Sequence, residues 1–153
     1  MILIDTNALV LLIVGLIDNN LIGKHKRTSI YDEEDFQLLL QVIGDLNQLV
    51  VLPNIWTEVD NLLNNFGGTY KYPYLERITE IISVTSEKYL DSVSGTKTHS
   101  FYELGLTDSL ILEYAKECKF LITSDSKLSD YATASGIKVY DMVKQKNTRI
   151  ENY

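Results

Sequence analysis

The first seven residues, MILIDTN, constrain the fold more than any other stretch. Met1 to Ile4 is wholly apolar, too short for a helix, and closed by small polar residues, so it reads as a strand. Fully apolar strands belong to parallel sheets covered by helices. Similar runs recur as Val50–Leu52, stopped by Pro53, and as Lys119–Thr123 (KFLIT), which ends in Ser124-Asp125-Ser126. Lys138–Met142 reads as the last strand, followed by a polar tail, and Ser83–Thr85 as a short edge strand. The segments between them carry helical patterns. The expected fold is α/β, three layers α/β/α around a central, mainly parallel sheet, in one domain over residues 1–153.

Seven helices are expected. Ala8–Ile17 is a run of ten apolar or glycine residues with Thr6 or Asn7 as cap. Asp32–Leu49 is the clearest, with Phe36, Leu39, Leu40, Ile43 and Leu46 on one stripe. Its first turn holds Asp32, Glu33, Glu34 and Asp35, where negative charge complements the helix dipole. Capping explains that cluster better than metal binding does. Ile55–Asn65, with Asn54 as cap, carries Glu58 in its first turn and Asn61 one turn on. Pro73–Ile82 follows a loop in which Tyr70, Tyr72 and Tyr74 alternate. These tyrosines could stack on bases, but aromatic cover of a core edge is the commoner use. Ser86–Val93 resembles another short helix, and Ser94–Ser100 a polar loop. Leu106–Cys118 is an apolar helix capped by Thr107 and opened by Asp108. Lys127–Ser135 is a weak helix stopped by Gly136.

One cysteine, Cys118, allows no internal disulfide, and with two histidines it makes no zinc pattern. His25 and His99 fall in polar loops and read as solvated. The ten-residue run after Asn7 is short of the ~20 a membrane span needs, and Asp5 stands where a signal peptide would carry positive charge. A cytoplasmic protein with no membrane partner is expected. The net charge of -7 opposes general adhesion to nucleic acid. Two local basic clusters stand against that background: Lys24, His25, Lys26 and Arg27, and near the C-terminus Lys144, Lys146 and Arg149. They read as solvated segments or, for the lysines and arginines, as contacts to an RNA backbone.

Open α/β sheets place their sites beyond the carboxyl ends of the strands. Asp5 and Asp125 follow strands; Glu58 and Asp108 sit near the starts of helices packing on the same sheet. Each has an ordinary explanation as a cap, a turn or a dipole partner. Together they would crowd one edge, where two carboxylates ~4 Å apart repel by about 4 kcal/mol at an effective dielectric near 20. A hard divalent cation removes that conflict, and an all-oxygen set suits Mg²⁺ or Mn²⁺. Such an ion can hold a phosphate oxygen and activate a water. Thr6, Asn7, Asn61, Thr123 and Ser124 are placed to support the acids.

The segments MILIDTN, LPNIWTEV, GLTDSLILEYA and FLITSD, in this order, resemble the PIN-domain family. The resemblance spans nearly the whole chain. It implies a Mg²⁺- or Mn²⁺-dependent ribonuclease whose acids map onto Asp5, Glu58, Asp108 and Asp125. It also implies an RNA substrate, an antitoxin protein as partner if the chain is a toxin, and a homo-oligomer. The alternative is a non-catalytic RNA- or partner-binding module on the same scaffold. A phosphatase with an aspartyl nucleophile would want an acid where Asn7 stands, and no strand-elbow serine motif is present.

Overall fold

The computed structural model describes Met1 to Asn152. Five strands form one sheet: β1 (Ile2–Ile4), β2 (Leu49–Val51), β3 (Ser86–Glu87), β4 (Phe120–Thr123) and β5 (Val139–Asp141). The order is β3-β2-β1-β4-β5, every pair parallel. Eight α-helices flank it among the described residues: α1 (Thr6–Ile17), α2 (Glu33–Ile43), α3 (Pro53–Leu63), α4 (Lys71–Val84), α5 (Ser92–Thr96), α6 (Phe101–Ala115), α7 (Ser126–Ala134) and α8 (Met142–Glu151). This is the three-layer α/β/α arrangement expected from the apolar strands. β1 is central, and the chain leaves it for β2 on one side and later takes up β4 on the other. The crevice at the carboxyl ends of β1 and β4 is therefore a switch point, where such sheets place ligands.

The core explains the composition of α1. Its residues Ala8 to Gly15 are all buried, and a helix apolar all round must be enclosed. α2, α3 and α4 pack on it. A glycine permits the approach of α2: a Cβ on Gly15 would lie 2.4 Å from the Phe36 ring.

Several boundaries differ from the expectation, each for a local reason. The cap of α1 is Asp5 itself, whose carboxylate accepts from the Thr6 amide at 2.7 Å. α2 stops at Ile43 because Gly44 takes φ 75°, and a 3-10 turn at Leu46–Gln48 leads into β2. α3 begins at Pro53, which occupies the first helical turn where its missing N–H is no loss; Asn54 lies inside the helix, and Glu58 falls in its second turn. The tyrosine stretch is not a loop: Tyr70 ends a 3-10 turn and α4 starts at Lys71. Residues 83 and 84 finish α4, and the edge strand lies at Ser86–Glu87, so no helix spans 86–93. α6 begins at Phe101 and is broken at Gly105 (φ 83°, ψ -177°), the restart falling just before Thr107. The polar tail is α8, with Asp141 as its cap.

A candidate metal and phosphate site at the switch point

Parallel pairing sets the geometry. Ile4 is in register with Ile122, and the Asp5 amide donates to the Ile122 carbonyl at 2.9 Å. Asp5 and Thr123 therefore emerge side by side, and the Thr123 hydroxyl donates to Asp5 Oδ2 at 2.9 Å. The same hydroxyl accepts from the Asp125 amide at 3.0 Å. The two strand ends are thus tied through one buried threonine.

α3 and α6 supply the remaining acids. Thr6 donates to Glu58 Oε2 at 2.6 Å, and Thr107 donates to Glu58 Oε1 at 2.9 Å. Thr107 is consequently not a helix cap; it spends its hydroxyl on the acid opposite, clamping α3 to α6. Asp125 caps α7, accepting from the Lys127 and Leu128 amides at 2.9 and 3.0 Å. Asp108 accepts no hydrogen bond among the described residues.

Asp5, Thr6, Asn7, Glu58, Asn61, Leu62, Asp108 and Asp125 line one cavity of about 370 Å³. All four candidate acids are there, with Asn7 and Asn61 beside them. Among the described residues, no cationic side chain lines it. Thr123 lies beneath, and Ser124 does not line the cavity. Burial pushes the Asp5 carboxyl up, opposed by its bonds to the Thr6 amide and Thr123 hydroxyl. Burial also raises Asp108, to about 7, with the charges of Asp5, Asp125 and Glu58 adding to it. Side chains as placed do not converge fully: among the described residues, no three acids stand close enough to hold one ion. Glu58 and Asp125 are instead held by hydroxyls and amides.

The basic residues are placed elsewhere. Lys24, Lys26 and Arg27 are exposed in the turns before α2 and do not line the cavity. Lys146 and Arg149 project from α8 onto the start of α2. Lys146 Nζ lies 2.7 Å from Asp35 Oδ2, and Arg149 Nη2 lies 2.8 Å from Asp35 Oδ1. Arg149 also meets Asp32 at 3.2 Å and Glu34 at 2.5 Å. Lys144 faces Asp130 at 3.8 Å. Two of the C-terminal basic residues are therefore internal fasteners, with little charge left for a phosphate backbone. Capping does account for that cluster: Asp32 and Asp35 form a reciprocal capping box, and they hold α8 as well. Tyr74 is buried, with its hydroxyl on Asp60 at 2.6 Å, as cover of the core requires; Tyr72 is exposed. His25 is half-buried against Phe66, ring centroids 5.2 Å apart.

Comparison with protein-family models, with curated proteins and with solved structures finds no match. Among the described residues, no helix is long and apolar enough to cross a membrane.

Proposed function

We propose that the chain is a Mg²⁺- or Mn²⁺-dependent endoribonuclease acting through Asp5, Glu58, Asp108 and Asp125. One observation carries the reading: four acids from four separate segments line one cavity that no lysine or arginine lines. Burial first, and then the neighbouring charges, keep Asp108 protonated well above the usual carboxylate range, and a divalent cation is the simplest relief. The donor chemistry suits a hard ion, being all carboxylate with amide and hydroxyl oxygens nearby, and the acids would have to close on it, since among the described residues no three of them stand within reach of one ion. Asp5, Asp108 and Asp125 would hold it, and Glu58 would hold it or orient a water. When bound, the ion would supply Lewis-acid polarisation of a phosphate oxygen and a more acidic water. The chain's own contribution is positional. Thr123 fixes the Asp5 carboxylate, and the hydroxyls of Thr6 and Thr107 fix Glu58. Asn7 and Asn61 are available to a phosphate or a ligand water. The likeness of the four motifs to PIN domains agrees with this, and extends it to an antitoxin partner, a homo-oligomer and a cytoplasmic setting.

Dialysed protein should cut single-stranded RNA only after Mg²⁺ or Mn²⁺ is restored. Asp5→Asn should lower the rate at least ~10²-fold, as loss of a ligand-shell group does. Cutting that survives chelation and this substitution would refute the proposal. A second reading, a binding module without catalysis, is favoured by the hydrogen bonds that hold Glu58 and Asp125 apart from their neighbours. It predicts RNA retention with no cleavage at any metal concentration.

A further inference from the structure

Three cavities are linked into a row through Thr107 and Leu90. The acid pocket adjoins a second, of about 180 Å³, lined by Tyr89, Leu90, Leu106, Thr107 and Leu110 among others. Thr107 joins the two, because it lines the second and donates to Glu58 in the first. The third, of about 610 Å³, shares Leu90 with the second and is walled by Lys97, His99, Tyr114 and Lys116, with the acidic Glu113 and Glu117 lining it as well. Lys88 stands 5.6 Å over the Tyr114 ring at its side.

We infer that this row is the lane of a single-stranded RNA, running from the acid pocket over Tyr89 to Lys88 and Lys97; the inference rests on the ribonuclease reading. The chemistry changes along the row in the way a strand needs. A base wants an apolar wall and an aromatic face, and Leu90, Leu106 and Leu110 form that wall. Tyr89 is 78% exposed, with its ring free to stack. The following phosphates want cations. Lys88 and Lys97 meet no carboxylate within ion-pair distance among the described residues, whereas Lys116 is tied to Glu113 at 3.3 Å. The middle wall is also held firmly. A Cβ on Gly95 of α5 would lie 2.8 Å from Leu106 and 3.1 Å from Leu110 on α6, so α5 and α6 are pressed together beneath it. The lane takes over the role that Lys146 and Arg149, already paired with Asp32 and Asp35, cannot fill.

The experiment measures binding and cleavage separately. Anisotropy of a labelled RNA of about a dozen nucleotides is read in chelator, so that no cutting occurs. Lys88→Glu with Lys97→Glu should weaken binding about tenfold and flatten its salt dependence. Tyr89→Ala should weaken it severalfold. Lys119→Glu with Lys138→Glu, an equal change of charge elsewhere on the surface, should change it by much less. In cleavage, the lane variants should raise KM with kcat held. Cleavage by wild type with no loss of binding in the lane variants would overturn the lane and leave the enzyme standing. Binding lost in the lane variants, with no cleavage by wild type, would overturn the enzyme and leave the lane. Neither cleavage nor binding by wild type would overturn both.

Discussion

Asp32, Glu34 and Asp35 at the start of α2, and Asp5, Glu58, Asp108 and Asp125 around the pocket, are two groups of acids crowded by one fold, yet only the first meets cations from its own chain. Arg149 and Lys146 reach the first group from more than a hundred residues away in sequence. The proton affinities diverge accordingly. Burial would raise Asp32, but the Asp35 amide, Arg149 and Lys146 outweigh it and bring Asp32 down to about 2. Asp108 goes the other way, up to about 7. Acids neutralised from within fasten helices together. Acids left without a partner cost stability unless something external joins them. The contrast is the ground on which the second group is proposed as the functional one, and it can be broken at either side.

The largest effect is expected at the fastener. Arg149→Ala would leave Asp35, 5% exposed, with Lys146 and the Asp32 amide as its remaining partners. Arg149 meets three carboxylates at once, so its loss should lower stability more than any other substitution here, read by chemical denaturation. A loss under about 0.5 kcal/mol would mean that α8 is held by packing alone. Next in size is the metal. A ligand at a hundred times its Kd adds about 2.7 kcal/mol. Mn²⁺ should therefore raise the wild-type melting temperature by several degrees, and do so equally in an Asp32→Asn variant. The gain should vanish in Asp5→Asn. No gain in wild type would remove the ground for calling the two groups different in kind.

Much of this contrast was legible in the sequence, and the reason is local. Strands that are apolar on both faces announce a covered parallel sheet, and the residues that end them, Asp5 and Thr123-Ser124-Asp125, fall at its carboxyl edge by topology alone. Glu58 and Asp108 follow because their helices must pack on that sheet. Pairings between distant segments carry no such signal. Nothing near Thr107 says that its hydroxyl serves Glu58 instead of its own helix, since a threonine before an aspartate is also how a cap is written. The break at Gly105 is the clue in hindsight: it lets α6 restart with Thr107 aimed at α3. Lys146 and Arg149 read as a basic tail because their partners lie at the opposite end of the chain. α8 itself was hidden by its polar composition, Asp141 being the one local sign of a cap.

A smaller effect sharpens the pocket's side. Asp108→Asn removes a charge that burial and three acids all oppose. In metal-free buffer near pH 8 the variant should be about 1 kcal/mol more stable than wild type, well below the full repulsion because the site is partly wetted. The gap should depend on pH in a fixed sense. A carboxyl raised in the folded state binds more protons there than in the unfolded chain, so its penalty is absent below the ordinary value of 3.8 and grows as pH rises to about 7. Wild type should therefore lose melting temperature over that range relative to the variant, and Mn²⁺ should cancel the difference. A clear loss of stability in Asp108→Asn at pH 8 would make Asp108 a structural residue.

The smallest effect is the mirror of that slope on the fastener. Asp32 is held below its ordinary value, so its contribution is present above 3.8 and is lost as pH falls towards about 2. Asp32→Asn keeps a good helix cap, because an amide oxygen can still accept from the Asp35 amide, while removing the charge that Arg149 and Lys146 meet. Asp32 is half-exposed, so solvent screens most of the pair and the loss at neutral pH should stay within about 1 kcal/mol. What the variant should lose is slope: its acid transition should flatten between pH 4 and pH 2, whereas Asp108→Asn should leave that limb unchanged and alter only the limb between pH 4 and pH 7. Two substitutions of the same chemistry would then change stability in opposite directions with pH. If both variants altered the same limb, the two groups would share one electrostatic environment, and the pocket would have no greater claim to an outside cation than the start of α2.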